Sequence, residues 1–216
     1  MRETREACGR VLSVLSARSA RYRPAAPLDV RWLGGGWSSH FEYADGRARR
    51  IRCDFVSRPP RISPPAIEAL FQKVASDDLL VVDRESLIRL KRTGRAKDYA
   101  VIGELARQLP PAEEIKWTTD VDRILELAPA VGGASSRPSV RKAFSGAGRA
   151  AVVGALAQEI DELQQADRKR LAVYERAAGP YLAEFRRIGL NRLPLVRAHE
   201  EACRLAEALL PEQPTE

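Results

Sequence analysis

The sequence predicts an α+β protein: a small mixed or antiparallel β-sheet with flanking helices, followed by a C-terminal helical bundle. Three observations carry this reading. Residues 37–43 and 49–56 alternate apolar and polar side chains with the period of two of half-buried strands. The turn signal Ala44-Asp45-Gly46-Arg47 lies between them. Residues 148–179 hold one long helical pattern, with helix-start prolines at 180 and 194 behind it.

The elements follow in order. Residues 3–19 put Cys8, Val11, Leu12 and Leu15 on one face of a short amphipathic helix. Residues 28–33, LDVRWL, alternate as a strand does, and Gly34-Gly35-Gly36 follows. In the hairpin, Trp37, Ser39, Phe41 and Tyr43 share one face, and Ile51, Cys53 and Phe55 share the matching face of the second strand. The apolar faces must align, because a one-residue slip buries arginines. Ser38, His40 and Glu42 then share the opposite face with Arg50, Arg52 and Asp54. Ser63 with Pro64-Pro65 opens a helix to about Val74, and residues 79–82, LLVV, read as a short buried strand. Asp83 caps the next helix, Gly94 interrupts or ends it, and helix resumes up to Pro110-Pro111. Thr119 and Asp122 have capping-box spacing before a helix over 118–128. Residues 129–139 are rich in Gly, Ser and Pro and read as a linker. The expected division is an α/β region over 1–112 and a helical region over 113–216.

The chain has 216 residues, enough for one generous domain or two small ones. No apolar run approaches the roughly 18 residues of a membrane helix, and the charged N-terminus does not read as a secretory signal. Three widely spaced cysteines, Cys8, Cys53 and Cys203, give neither a disulfide framework nor a metal spacing, which fits a reducing cytoplasm. The net charge of +7 favours anionic partners such as nucleic acid or nucleotides. The basic residues are 30 Arg and 6 Lys, a bias that a GC-rich genome also produces.

Several residues invite a chemical reading, each beside a structural one. Gly34, Gly35 and Gly36 would let backbone N–H groups approach a phosphate, or would simply turn the chain between strands. Asp54 on a polar sheet face would hold a magnesium ion or act as a base, or would pair with Arg52 or Arg58. Leu87, Lys91, Gly94, Asp98, Val101 and Leu105 follow a 4-3-4-3-4 spacing. Lys91 and Asp98 on such a stripe would pair with each other or face a ligand, with Arg95 and Lys97 beside them. His40 and His199 have no metal-ligand partner at useful spacing and read as hydrogen-bonded structural histidines. Asp120 and Asp122 open an amphipathic helix, so capping explains them better than metal binding.

Asp54 on a strand, its proline-rich exit, and LLVVDRESLIRLKRTGRAKDYAVIGEL together resemble the second half of a DNA polymerase β-like nucleotidyltransferase domain. That superfamily includes small bacterial proteins of toxin–antitoxin and defence systems. The matching residues are Leu87, Lys91, Arg95 or its neighbour, Lys97 and Asp98, and the resemblance spans roughly residues 3–109. It implies a partial nucleotidyltransferase-like fold in which Asp54 is a metal ligand or base. Ser38, Arg52, Lys91 and Lys97 would contact phosphate, with Mg²⁺ and a nucleoside triphosphate as cofactors. Family members carry a Gly-Ser turn and two carboxylates one residue apart on an earlier strand, which here would lie before residue 3. Either the start lies upstream, or this form is degenerate. The chain as given is therefore expected to be weak or inactive in nucleotidyl transfer. The alternative is a non-catalytic basic module that binds nucleic acid or protein, such as a toxin–antitoxin or defence-system component. A protein partner, a second copy or the C-terminal helices would then cover an open sheet edge.

Overall fold

The two alternating segments form the hairpin that their pattern predicts. In the computed structural model, residues 1–72, 82–131 and 133–215 are described. The first elements in chain order are α1 (Arg5–Ala17), β1 (Arg21–Tyr22), α2 (Val30–Gly34), β2 (Ser38–Ala44) and β3 (Arg50–Val56). Then come α3 (Pro64–Gln72), α4 (Arg84–Lys91), α5 (Ala96–Ala106), α6 (Pro111–Trp117), α7 (Val121–Val131) and α8 (Pro138–Phe144). The last are α9 (Arg149–Ile188) and α10 (Leu195–Leu209), with a 3-10 turn at Leu190–Arg192 between them. The described residues make a mixed α+β protein with an antiparallel sheet of order β1-β2-β3.

Two compact units divide the chain: Met1–Pro59 with Leu171–Glu216, and Pro60–Arg170. This differs from the division at residue 112, because α10 returns to pack on α1 and β1. Residue spacing along a helix cannot show which earlier element that helix will cover.

In the first unit the β2–β3 register pairs His40 with Asp54, Phe41 with Cys53 and Glu42 with Arg52. The apolar face is therefore the expected one. Tyr22, Phe41, Trp32, Leu33, Tyr181 and Phe185 are buried together in its core. The Tyr22 hydroxyl accepts from the Leu28 N–H (3.1 Å) and meets His199 Nδ1 (2.7 Å), so burial leaves no polar atom of that ring unmet.

Residues 28–33 are not a strand. Asp29 accepts from the Arg31 N–H (2.9 Å) and caps the short helix α2 instead. Its successive residues Trp32 and Leu33 are both buried, which an alternating strand could not do on one face. Pro180 does not start a helix; it lies inside the 40-residue α9. The missing N–H removes one helical bond. The turn beyond it is held by the core, where Tyr181 and Phe185 are fully buried and the Tyr181 hydroxyl donates to Ala25 O (3.1 Å).

The triple glycine is a seat for the chain's own C-terminal segment. A side chain at Gly35 would overlap the Glu212 carbonyl oxygen. Gly36 has φ +87, and a Cβ there would come within 2.6 Å of the Tyr174 hydroxyl. That hydroxyl donates to Gly35 O (3.1 Å), while Trp32 and Trp37 donate to Leu210 O (3.1 Å) and Pro211 O (2.9 Å).

In the second unit, Ile115, Ile124, Leu127, Val140 and Val152 form one cluster, and Ile88, Tyr99, Ile102 and Ala106 form another. Asp83 caps α4 by accepting from the Ser86 N–H (2.9 Å), as expected. Asp120 caps α7 in place of Thr119, accepting from Asp122 N (2.9 Å), and the Thr119 hydroxyl donates to Tyr99 O instead. The expected linker over 129–139 is shorter, since α7 continues through Pro129 to Val131 and α8 opens at Pro138. The expected strand over 79–82 lies, except for the exposed Val82, outside the described residues.

Gly35→Ala is expected to destabilise the chain by about 1–3 kcal/mol, as overpacking does. In a chain ending at Pro211 the same substitution should cost far less, because the clashing carbonyl is gone. Urea unfolding of the four proteins checks both statements.

Candidate functional site

A strand that buries one face must offer the other, and here that face is charged. Arg21 and Arg23 at β1, Ser38, His40 and Glu42 on β2, and Arg50, Arg52 and Asp54 on β3 make up the polar side of the sheet. The β2–β3 turn adds Arg47 and Arg49. Asp54 is 61% exposed and holds Arg23 at 3.1 Å, not Arg52 or Arg58. Arg58 pairs with Glu3 instead (2.7 Å), and Arg52 reaches Glu42 only at 4.0 Å. Arg49 bonds Asp45 within the turn (2.7 Å). Arg21, Arg47 and Arg50 have no carboxylate partner among the described residues and are exposed.

Two residues apart on β2, Ser38 and His40 join through Ser38 Oγ and His40 Nε2 at 2.9 Å. Burial lowers the His40 pKa from its ordinary value; Asp54 opposes this and Arg23 adds to it. Sequence spacing had placed Ser38, His40 and Asp54 on one face without joining them. Asp54 accepts from Arg23, and the imidazole donates no hydrogen bond to it, so the third link of a nucleophilic triad is unmade.

The donor set around Asp54 does not fit a magnesium ion. Mg²⁺ takes oxygen ligands, commonly one or two carboxylates with phosphate and water. Here the neighbours are a guanidinium and an imidazole, and no group of three His, Cys, Asp or Glu gathers among the described residues.

Lys91 and Lys97 belong to the other compact unit. The Lys91–Asp98 pair forms at 3.8 Å, across a break between α4 and α5. Asp98 sits in the first turn of α5, is 3% exposed, and accepts from the Thr93 hydroxyl (2.7 Å) and Arg95 Nε (2.9 Å). Burial pushes its carboxyl pKa up. Thr93, Arg95 and Lys91 outweigh that and, helped by the helix N-terminus, hold it below the ordinary value. Lys97 is exposed and joins none of this.

Three buried or half-buried carboxylates were not found from spacing. Asp167, 4% exposed, accepts from the Gly94 N–H (2.7 Å), and Arg61 and Arg170 flank it at 3.7 and 3.2 Å. Glu114 takes a two-pronged bond from Arg123 (2.8 and 2.6 Å). Glu159 accepts from Arg137 (3.0 Å) and the Ser139 N–H (2.6 Å). Apart from Arg170, three positions from Asp167, their partners lie 9 or more residues away in the chain, where local spacing does not mark them.

No family model matches the chain, nor does any curated protein or any solved structure. No helix among the described residues is long and apolar enough to cross a membrane.

Asp98→Asn is expected to cost about 1.5–3 kcal/mol at neutral pH, the range for hydrogen bonds to a charged group. Asp54→Asn should stay within about 0.5 kcal/mol, because its ion pair is exposed. The Asp98 carboxyl has a lowered folded pKa, so its contribution is fully present above the ordinary carboxylate range. It should fade as pH falls through the folded value. Denaturation midpoints from pH 7 to pH 3 check the direction.

Proposed function

We propose that the chain is a non-catalytic module that grips the phosphate backbone of nucleic acid with the polar face of its sheet. The observation that carries this reading is the set of six arginines on that face and its turn: Arg21, Arg23, Arg47, Arg49, Arg50 and Arg52. Only Glu42, Asp45 and Asp54 oppose them, leaving Arg21, Arg47 and Arg50 unpaired among the described residues. Guanidinium groups bind phosphate in two-pronged fashion. The face carries no Phe, Tyr or Trp, and its one imidazole, His40, is half-buried and bonded to Ser38, so contact with the backbone, independent of sequence, is what it offers. The overall charge of +7 acts in the same direction. A cytoplasmic location and a role in a toxin–antitoxin or defence system belong to this proposal; the free Cys8, Cys53 and Cys203 favour the former.

Nucleotidyl transfer rests on the sequence resemblance and on the Lys91–Asp98 pairing within the matching segment. The setting of Asp54 weighs against it, since its single carboxylate already serves Arg23.

Three free guanidiniums predict a slope of about −2.7 in log affinity against log salt on duplex DNA, roughly a fortyfold loss between 50 and 200 mM. Fluorescence anisotropy with labelled RNA and duplex DNA measures it. Replacing Arg21, Arg47 and Arg50 together by Gln should bring the slope close to zero, and EDTA should change nothing. Unchanged binding by the triple variant would overturn the reading. So would magnesium-dependent nucleotide transfer that Asp54→Asn abolishes.

A further inference from the structure

The second unit holds a cavity of about 340 Å³, within the range of small-molecule sites. Its apolar lining comes from Tyr99, Ile102, Trp117, Leu156, Ile160 and Leu163. Apart from the exposed Glu162, whose carboxylate accepts from Gln158 (3.0 Å), its charged lining is almost fully committed. Arg137 is bound to Glu159 (3.0 Å) and to the carbonyl oxygens of Ile115 and Thr118 (2.9 Å each). Lys116 is bound to Glu113 at 2.7 Å.

Arg92 is the exception. Its guanidinium lies 5.5 Å from the Trp117 ring centre and makes no ion pair or side-chain hydrogen bond with any described residue. Burial lowers its pKa, and the positive charges of Arg137 and Arg61 lower it further. A partly desolvated cation facing like charges is costly until an anion meets it. A second polar demand is unmet at the same wall, where the buried Trp117 Nε1 finds no acceptor.

We propose that this cavity binds a small organic acid: one carboxylate on a flat apolar ring, with the carboxylate on Arg92 and the ring among Trp117, Tyr99 and the aliphatic side chains. One uncommitted guanidinium matches one negative charge, and a carboxylate fits its fork. A phosphate dianion would bring a second charge into a cavity whose other cations are already paired. The mostly apolar wall asks for a ring rather than a sugar.

The test uses the full chain with 1-naphthoate, the isosteric neutral 1-naphthamide, and inorganic phosphate. Calorimetry gives affinity, and the indole N–H resonance of Trp117 reports the place. The expected result is naphthoate binding that shifts the Trp117 signal, with naphthamide at least tenfold weaker and phosphate without effect up to millimolar concentration. Arg92→Gln should weaken naphthoate at least tenfold while Arg92→Lys keeps part of the affinity. Equal binding of naphthamide, stronger binding of phosphate, or no naphthoate binding at millimolar concentration would each overturn the proposal. The comparison of acid with amide needs no variant, so a folding defect cannot mask the answer.

Discussion

The sheet has one apolar side, and the first unit depends on that asymmetry. Tyr22 and Phe41 can be buried, with Phe55 packed against them, only if β2 and β3 keep their present register, because a slip of one residue would bring arginines into the core. With the register held, Arg21, Arg50, Arg52 and Asp54 have no choice but the opposite side. The cationic face is thus a consequence of the packing, with Arg21, Arg50 and Arg52 on hydrogen-bonded strands, Arg23 and Arg49 next to them and Arg47 in the turn. The β3 edge is guarded in the usual way, with charged side chains along it and the Met1 ammonium donating to Val56 O (2.8 Å).

The second unit is built on a different rule. Its buried carboxylates, Asp98, Glu114 and Asp167, are each met by arginine, hydroxyl or backbone N–H donors. Such pairs fix where helices begin and how they face one another, at a desolvation cost that only complete hydrogen bonding offsets. Against that background the unmet guanidinium of Arg92 stands out, and it opens on a cavity.

Much of the hairpin was legible in the sequence because a period of two leaves a clear trace. Face, register and the polar cluster of Ser38, His40, Glu42, Arg52 and Asp54 followed from alternation alone. Residues 28–33 misled because Leu28, Val30 and Trp32 also alternate, while the cap from Asp29 decided for helix. Pro180 misled because a proline ends an isolated helix, yet the buried Tyr181 and Phe185 hold this one together. The glycines read as a phosphate loop or as a turn between strands. Their closeness to Glu212 depends on a contact some 177 positions away, which spacing does not encode. Lys91 and Asp98 were expected either to pair or to face a ligand; they do pair, by a turn between two helices rather than along one. The cavity residues come from four helices and three loops, so nothing in any single stretch marked them.

The central claim is that one face of one small sheet is where the chain meets nucleic acid. Arginine-selective modification by phenylglyoxal, mapped by mass spectrometry with and without an RNA oligomer, tests it most directly. The account predicts that RNA shields Arg21, Arg47 and Arg50, while Arg10, Arg197 and Arg204 on helices α1 and α10 react as before. Shielding of the helical arginines with the sheet arginines left reactive, or no shielding at all, would contradict it.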